Sequence, residues 1–355
     1  MRQIITTALC VFLFAVLAQA AAYGEAKVIT IGGIVTLSGE GAPYGINAQR
    51  GAILAIEEIN SASHGIPFKV IWEDEIGGKA EKAVTAYKKL TQIDGVSIIF
   101  GPTYLDGLFA IAPLAKKDGK LLVTASNPAL SISNVFSTWV DPRQEAETMA
   151  KHIASSHKRV AVLSCQQAWD AIVGKHFRDS FTATGGEIVY LTEPLPDTTD
   201  LKPEVLKAKL SKPDAIFISS YTLFSKYTRE LKRMRVSVPL YGIEVDKSVI
   251  DAASGTAEGL EFIAPSMPKA GDFISKFEKR FGVVPDVPAF QAYDAMFLLA
   301  KAVEMKGTSI PDLLNYFGSF DHFEGVSGTL RTENGQVQFP LDFFRVKDGR
   351  YDKID

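Results

Sequence analysis

Cysteine is almost absent from this chain of 355 residues: only Cys10 and Cys165 occur, so no framework of internal disulfides can hold it together. Histidine is sparse too. The five copies, His64, His152, His157, His176 and His322, never fall at metal-ligand spacing, and no metal site is expected. Neither sign of charge dominates, with 38 basic residues against 41 acidic ones and no basic run. That balance excludes the electrostatic footprint a nucleic-acid binder needs and offers nothing to an anionic membrane surface. Past the first two dozen residues no apolar run approaches the roughly 20 needed to cross a bilayer, so direct membrane insertion is not expected. Catalytic signatures are missing as well. The chain has no Gly-x-Ser-x-Gly elbow, no His-Glu-x-x-His, no Gly-x-x-x-x-Gly-Lys and no Gly-x-Gly-x-x-Gly after its first apolar run, so neither an enzyme nor a cofactor is expected. Cys165 has no neighbouring base to lower its pKa and reads as a buried, inert thiol.

What is present begins with a leader. Arg2 supplies a positive start, residues 4–17 an apolar stretch, and Ala18, Gln19, Ala20, Ala21 and Ala22 a small-residue cleavage site, so residues 1–22 read as a secretory signal peptide. The product is then expected in the periplasm, and the remaining 330 or so residues suffice for two domains with their own cores.

Residues 28–60 set the pattern for the rest. A nearly continuous Ile/Val run ends at Thr36, as in a strand buried on both faces. A small-residue loop follows, from Ser38 to Gly45. Ala48, Ala52, Ala55 and Ile59 then recur at spacings of four, three and four, which puts them on one face of a helix. Strand-like and helical segments alternate in this way to residue 125, pause near Val140, Asp141 and Pro142, and restart at residue 159 for a second series ending at residue 243. Such alternation predicts parallel sheets with right-handed crossovers and helices on both faces. Phe273, Phe277 and Phe281 share one face of a later helix, and residues 289–306 form another. The terminus reads as a hairpin turning at Asp348 and Gly349.

Candidate functional residues are identified by position. In open parallel sheets ligands sit beyond the carboxyl ends of the strands. Ser38 and Tyr44 follow the first strand, Thr103 and Tyr104 the third, and Ser126 and Asn127 the fourth; in the second series residues 166–169, Tyr221 and Glu244 take corresponding places. If the two halves face each other, these loops line a single cleft with aromatic walls, a few polar groups and a carboxylate suited to a cation.

Several motifs along the chain resemble the leucine/isoleucine/valine-binding type of periplasmic substrate-binding protein. They include Ser38-Gly39 to Tyr44-Gly45, Gly51-Ala52, Phe100-Gly101-Pro102, Asn127-Pro128, Gly242 with Glu244, Tyr293-Asp294-Ala295, Phe323 to Gly328 and Val346 to Gly349. The resemblance implies an α/β protein of type I periplasmic binding fold, in which two doubly wound parallel-sheet lobes joined by a three-crossing hinge close on a small-molecule ligand. The ligand would be handed to the permease subunits of an ABC transporter, and the binding protein would be a monomer. Lobe 1 would comprise residues 23–141 and 267–327, lobe 2 residues 142–266 and 328–355, with crossings near Asp141, between Ala264 and Pro268, and at Gly328. Carried over by motif, the ligand set is Ser38, Tyr44, Thr103, Tyr104, Leu105, Ser126, Asn127, Trp169, Tyr221 and Glu244. Leu105 stands where the amino-acid binders have a hydroxyl residue, and the loop from Thr124 to Pro128 is about two residues short; both weaken a carboxylate subsite. Where the family often has a disulfide in the first lobe, this chain has Ile76 and Tyr104. The ligand that the resemblance implies is amino acid-like or an aromatic or apolar carboxylate. The alternative is a ligand-sensing receptor or regulatory protein of the same fold.

Overall fold

The computed structural model describes residues 28–39, 41–62, 66–266, 271–333 and 336–354; the signal segment, residues 1–22, lies outside them. The first strand, β1 (Ile29–Val35), is buried along almost its whole length, as its lack of alternation requires. It leads through the small-residue loop into α1 (Ala42–Ser61), and the alternation continues with β2 (Phe68–Asp74), α2 (Ala80–Lys88, extended by a π-helical turn over Lys89–Ile93), β3 (Ile98–Phe100), α3 (Leu105–Asp118), β4 (Leu121–Thr124) and β5 (Val135–Ser137). These strands form one parallel sheet in the order β2-β1-β3-β4-β5.

The second series runs α4 (Pro142–Ala154), β6 (Arg159–Leu163), α5 (Ala168–Ala183), β7 (Glu187–Thr192), α6 (Lys202–Leu210), β8 (Ala215–Ile218), α7 (Phe224–Arg233), β9 (Leu240–Ile243), α8 (Lys247–Ala253) and β10 (Glu261–Pro265). It is followed by α9 (Gly271–Phe281), α10 (Val287–Lys306), α11 (Ile310–Phe317), β11 (Phe323–Gly325), β12 (Gly328–Glu333), β13 (Gln336–Gln338), β14 (Leu341–Lys347) and β15 (Arg350–Ile354). The second sheet has the order β15-β14-β10-β9-β8-β6-β7, parallel from β10 to β7 and closed at one edge by the antiparallel β14–β15 hairpin. Asp348 and Gly349, both at positive φ, turn that hairpin, as the Asp-Gly pair predicts.

Both sheets are covered on their two faces. On the first, α1, α9, α10 and α11 pack one side and α2 and α3 the other. On the second, α6, α7 and α8 pack one side and α4 and α5 the other. This doubly wound plan brings the carboxyl ends of the two sets of parallel strands to a shared cleft.

One boundary differs from the sequence reading. The resemblance puts the chain from Gly328 onward in the second lobe, yet β12 and β13 pair with each other, and Leu330, Val337 and Phe339 lie in the core of the first. The chain reaches the second sheet only at β14, so the third crossing falls at Phe339 and Pro340 rather than at Gly328. Asp294 explains why the segment stays behind: its carboxylate on α10 accepts from Val326 N (2.8 Å) and Ser327 N (2.9 Å), pinning the β11–β12 turn to the first lobe. The first crossing ends at Asp141, which caps α4 by accepting from Arg143 N at 2.9 Å. Part of the second, residues 267–270, lies outside the described residues.

The small residues of α1 have a packing reason. A Cβ on Gly51 would stand 2.0 Å from the carbonyl oxygen of Ala289 on α10, so these helices touch backbone to backbone. Gly51→Ala should therefore force the pair apart and destabilise the protein by about 1–3 kcal/mol, the usual cost of overpacking, seen as a lower midpoint in thermal unfolding.

Candidate functional site

Between the lobes lies a cavity of about 470 Å³, counted out to its mouth and lined by Tyr44, Thr103, Tyr104, Leu105, Ser126, Trp139, Gln167, Trp169, Asp170, Tyr221, Thr222 and Glu244. Aromatic walls with a few polar groups are the usual lining of a small-molecule pocket. From the first lobe Tyr44 rises from the first turn of α1, while Thr103, Tyr104 and Leu105 come from the loop into α3. From the second, Trp169 and Asp170 begin α5, Tyr221 and Thr222 follow β8, and Glu244 follows β9.

The glycine-rich loop serves an aromatic side chain. A Cβ on Gly41 would come 2.0 Å from the Tyr104 hydroxyl oxygen and one on Gly78 would come 2.4 Å from Cγ of its ring. Both glycines have positive φ, which L side chains adopt only with strain. The ring of Tyr104 thus rests between two bare stretches of backbone.

Two of the sequence candidates stand outside the lining. Ser38 is exposed and its hydroxyl donates to Asp74 Oδ2 at 2.5 Å. Asn127 is buried, but its amide is fully engaged, donating to Trp139 O (2.9 Å) and accepting from Ala129 N (2.8 Å). Its position still matters, because it holds Trp139, whose indole N–H donates to the Tyr44 hydroxyl. The other eight, Tyr44, Thr103, Tyr104, Leu105, Ser126, Trp169, Tyr221 and Glu244, share the cavity wall.

Trp139, Gln167, Asp170 and Thr222 join them without having been singled out, although Gln167 falls within the 166–169 segment. Gln167 caps α5, its Oε1 accepting from Trp169 N at 2.9 Å and Asp170 N at 3.3 Å, and so fixes the backbone from which Trp169 projects. Its amide also reaches across the cleft to Asp106 Oδ2 (3.0 Å). Tyr44 and Tyr221 likewise meet edge to face from opposite lobes, with centroids 5.6 Å apart. These contacts belong to a closed cleft. Asp106→Ala removes one of them without touching the lining and should shift the balance toward open by about 0.5–1.5 kcal/mol, read as an increased radius of gyration in X-ray scattering.

The electrostatics are one-sided. Asp170 is buried and accepts from Ser220 Oγ (2.6 Å) and Tyr221 N (3.2 Å), tying α5 to the β8–α7 loop; burial raises its pKa to about 6 despite those bonds. Asp246 accepts from Tyr221 OH (2.7 Å) and Val249 N (2.8 Å), and burial raises its pKa too. Glu244 sits in a left-handed conformation, φ 46°, rare for a side chain of its size and a form of strain found at functional sites. Burial, and then the charge of Asp246, push its pKa up to about 8. Behind it, Glu145 on the first turns of α4 is fully buried and raised well above the carboxylate range by burial and by Glu244. Cys165 is buried, its thiol pushed up to about 12 chiefly by burial, which fits an inert role.

Comparison with known proteins places this geometry in a family. Residues 28–350 match the model of the family described as periplasmic binding protein. The chain is 30% identical to the Leu/Ile/Val-binding protein BraC3 of Rhizobium johnstonii over 205 residues, and that match spans about half (54%) of each protein. It is 26% identical to a Leu/Ile/Val-binding protein homolog of Brucella melitensis over 349 residues, covering 93% of this chain and 94% of the relative. Among solved structures, a leucine-binding protein of Thermotoga maritima superposes with a TM-score of 0.84 at 22% identity over 92% of this chain and 98% of that one. A solute-binding protein of an ABC transporter from R. palustris, in complex with 4-hydroxybenzoate, superposes equally well at 0.84, with 18% identity over 93% and 96% of the two chains. These likenesses support the fold at identities too low to transfer a ligand. The match over nearly the whole described chain, joined to the two-lobed architecture and the cleft between its sheets, shows that this chain belongs to the periplasmic binding protein family.

Proposed function

We propose that this protein is the extracytoplasmic solute-binding component of an ABC importer, capturing a small organic molecule with an apolar or aromatic body between its lobes. The observation that carries this reading is the cavity itself, whose walls are Tyr44, Tyr104 and Trp139 from one lobe and Trp169 and Tyr221 from the other. A wall completed only when the lobes meet couples ligand capture to closure, because the ligand gains contacts to both lobes in one state alone. Family membership and the relatives' names point the same way. A leader of residues 1–22, if removed on export, would deliver the protein to the periplasm, where the closed form would meet permease subunits. X-ray scattering of the purified protein tests the reading: a screen of small organic molecules should contain one that stabilises the protein thermally and holds it compact. A stabilising compound that leaves the open and closed populations unchanged would contradict capture by closure.

A further inference from the structure

We infer that the cleft selects an organic cation, an ammonium group on an apolar or aromatic body, rather than a carboxylate; this rests on the solute-binding reading above and assigns the charge of its ligand. Four observations converge. First, among the described residues no Lys, Arg or His lines the cavity, whereas Asp170 and Glu244 do. Arg143, on the same turn of α4 as Glu145, is turned to Asp141, with Nη2 2.6 Å from Oδ2. An anion would enter without a counter-charge.

Second, the polar groups that could receive a carboxylate in the first lobe are already occupied by one. Glu75, at the end of β2, accepts through Oε1 from Thr103 N (2.8 Å), Tyr104 N (3.3 Å) and Thr36 Oγ1 (3.1 Å). Its other oxygen lies 2.9 Å from where a Cβ on Gly107 would stand, against the first turn of α3. The backbone N–H groups just before that helix, a natural place for an anion, are thus spent on an internal carboxyl. Ser126 is engaged as well, its hydroxyl lying 3.1 Å from that of Thr124.

Third, buried acid oxygens in the second lobe have nothing to bond. Glu244 Oε1 and both carboxyl oxygens of Glu145 are buried without a hydrogen-bond partner. Leaving such groups unsatisfied is costly, and an ammonium donor delivered to Glu244 would relieve it. Fourth, five of the lining residues, Tyr44, Tyr104, Trp139, Trp169 and Tyr221, are aromatic, and aromatic faces attract a cation through their quadrupoles, most strongly when water is excluded. An entering ammonium would draw the Glu244 carboxyl into its ionised form, the proton leaving to solvent, and the pair so formed behind aromatic walls complements a positive charge, whereas a carboxylate would meet two acids and no base.

The test uses three probes that separate charge from shape: benzylammonium, benzoate and L-leucine, titrated against the purified protein and followed by tryptophan fluorescence and thermal shift. Benzylammonium should saturate, bind at least 10-fold more tightly than benzoate or leucine, and lose at least 10-fold in Glu244→Gln; Glu145→Gln should weaken it several-fold. Both variants replace a buried acid by a neutral isostere, so folding should survive, and the thermal melt checks it. Benzoate or leucine binding more tightly than benzylammonium, or benzylammonium binding unchanged in Glu244→Gln, overturns the charge assignment and leaves solute capture standing. Saturation by none of the three, with no thermal shift from any compound of the wider screen, contradicts both.

Discussion

Trp169→Ala should cost the protein about 100-fold in ligand affinity while leaving it folded. The indole stands at the start of α5 on the far side of the cleft from Tyr44 and Trp139, part-exposed in the cavity wall, on backbone fixed by the Gln167 cap. It contributes a large flat surface at low cost in side-chain entropy, and truncating such an anchor at the centre of a binding site commonly removes 2 to 4 kcal/mol. About 3 kcal/mol corresponds to the 100-fold loss. The rest of the binding machinery would remain, so a weakened ligand should still bind at high concentration. Ser38→Ala is the matching control: its hydroxyl is spent on Asp74, outside the cavity, and affinity should not change. Titration of wild type and both variants with the stabilising compound, followed by tryptophan fluorescence where Trp139 remains as reporter, would check the pair.

The second large effect is a loss of stability of the empty protein between about pH 5 and pH 8. Glu244 in the folded state has a pKa near 8, against an ordinary value of 4.5. Below both values the carboxyl is protonated whether folded or unfolded, and the contribution is intact. Between them the unfolded chain releases its proton and the folded chain keeps it, so rising pH favours unfolding until the folded group also ionises. Charged or titratable neighbours face it from several elements: Asp246 on its own loop, Glu145 on α4, Tyr44 on α1 and, beyond Asp246, Asp286 before α10. Apart from the tyrosine all are acids with raised pKa, so they act in the same direction. Across the window the loss should reach a few kcal/mol. Glu244→Gln cannot ionise and should flatten the profile, most visibly at pH 8, in urea unfolding followed across the range. A wild-type profile that rises from pH 5 to 8, or a variant with the same slope, would show that burial does not control this carboxyl.

Much of the architecture could be read from the chain because buried parallel strands leave uninterrupted Ile/Val runs and the helices between them carry periodic apolar faces. Residues 28–60 showed both, and β1 and α1 lie there. Position after strand ends also brought out seven of the eight candidates that line the cavity, since in this topology those loops converge, and the family resemblance added Leu105. What escaped had no local signal. Trp139 follows a three-residue strand, β5, too short to register as a period, and nothing nearby in sequence reveals that it reaches Tyr44. Glu145 looks like one more polar residue on the first turns of a helix, and only the packing of α4 against the second sheet buries it. Glu75 is similar, an acid after a strand whose partners lie 28 and 39 residues away. The family resemblance implies a third crossing at Gly328, whereas the anchor that keeps the segment in the first lobe, Asp294, is a contact across 32 residues.

The claim on which everything else depends is that a small organic molecule is held between the lobes. Native mass spectrometry of protein freshly purified from its own cells addresses it directly, with Trp169→Ala prepared in parallel. The wild type should carry one small organic molecule per chain, absent from or strongly depleted in the variant. An equal load on both proteins would place the ligand elsewhere, and the cleft would then not be the binding site.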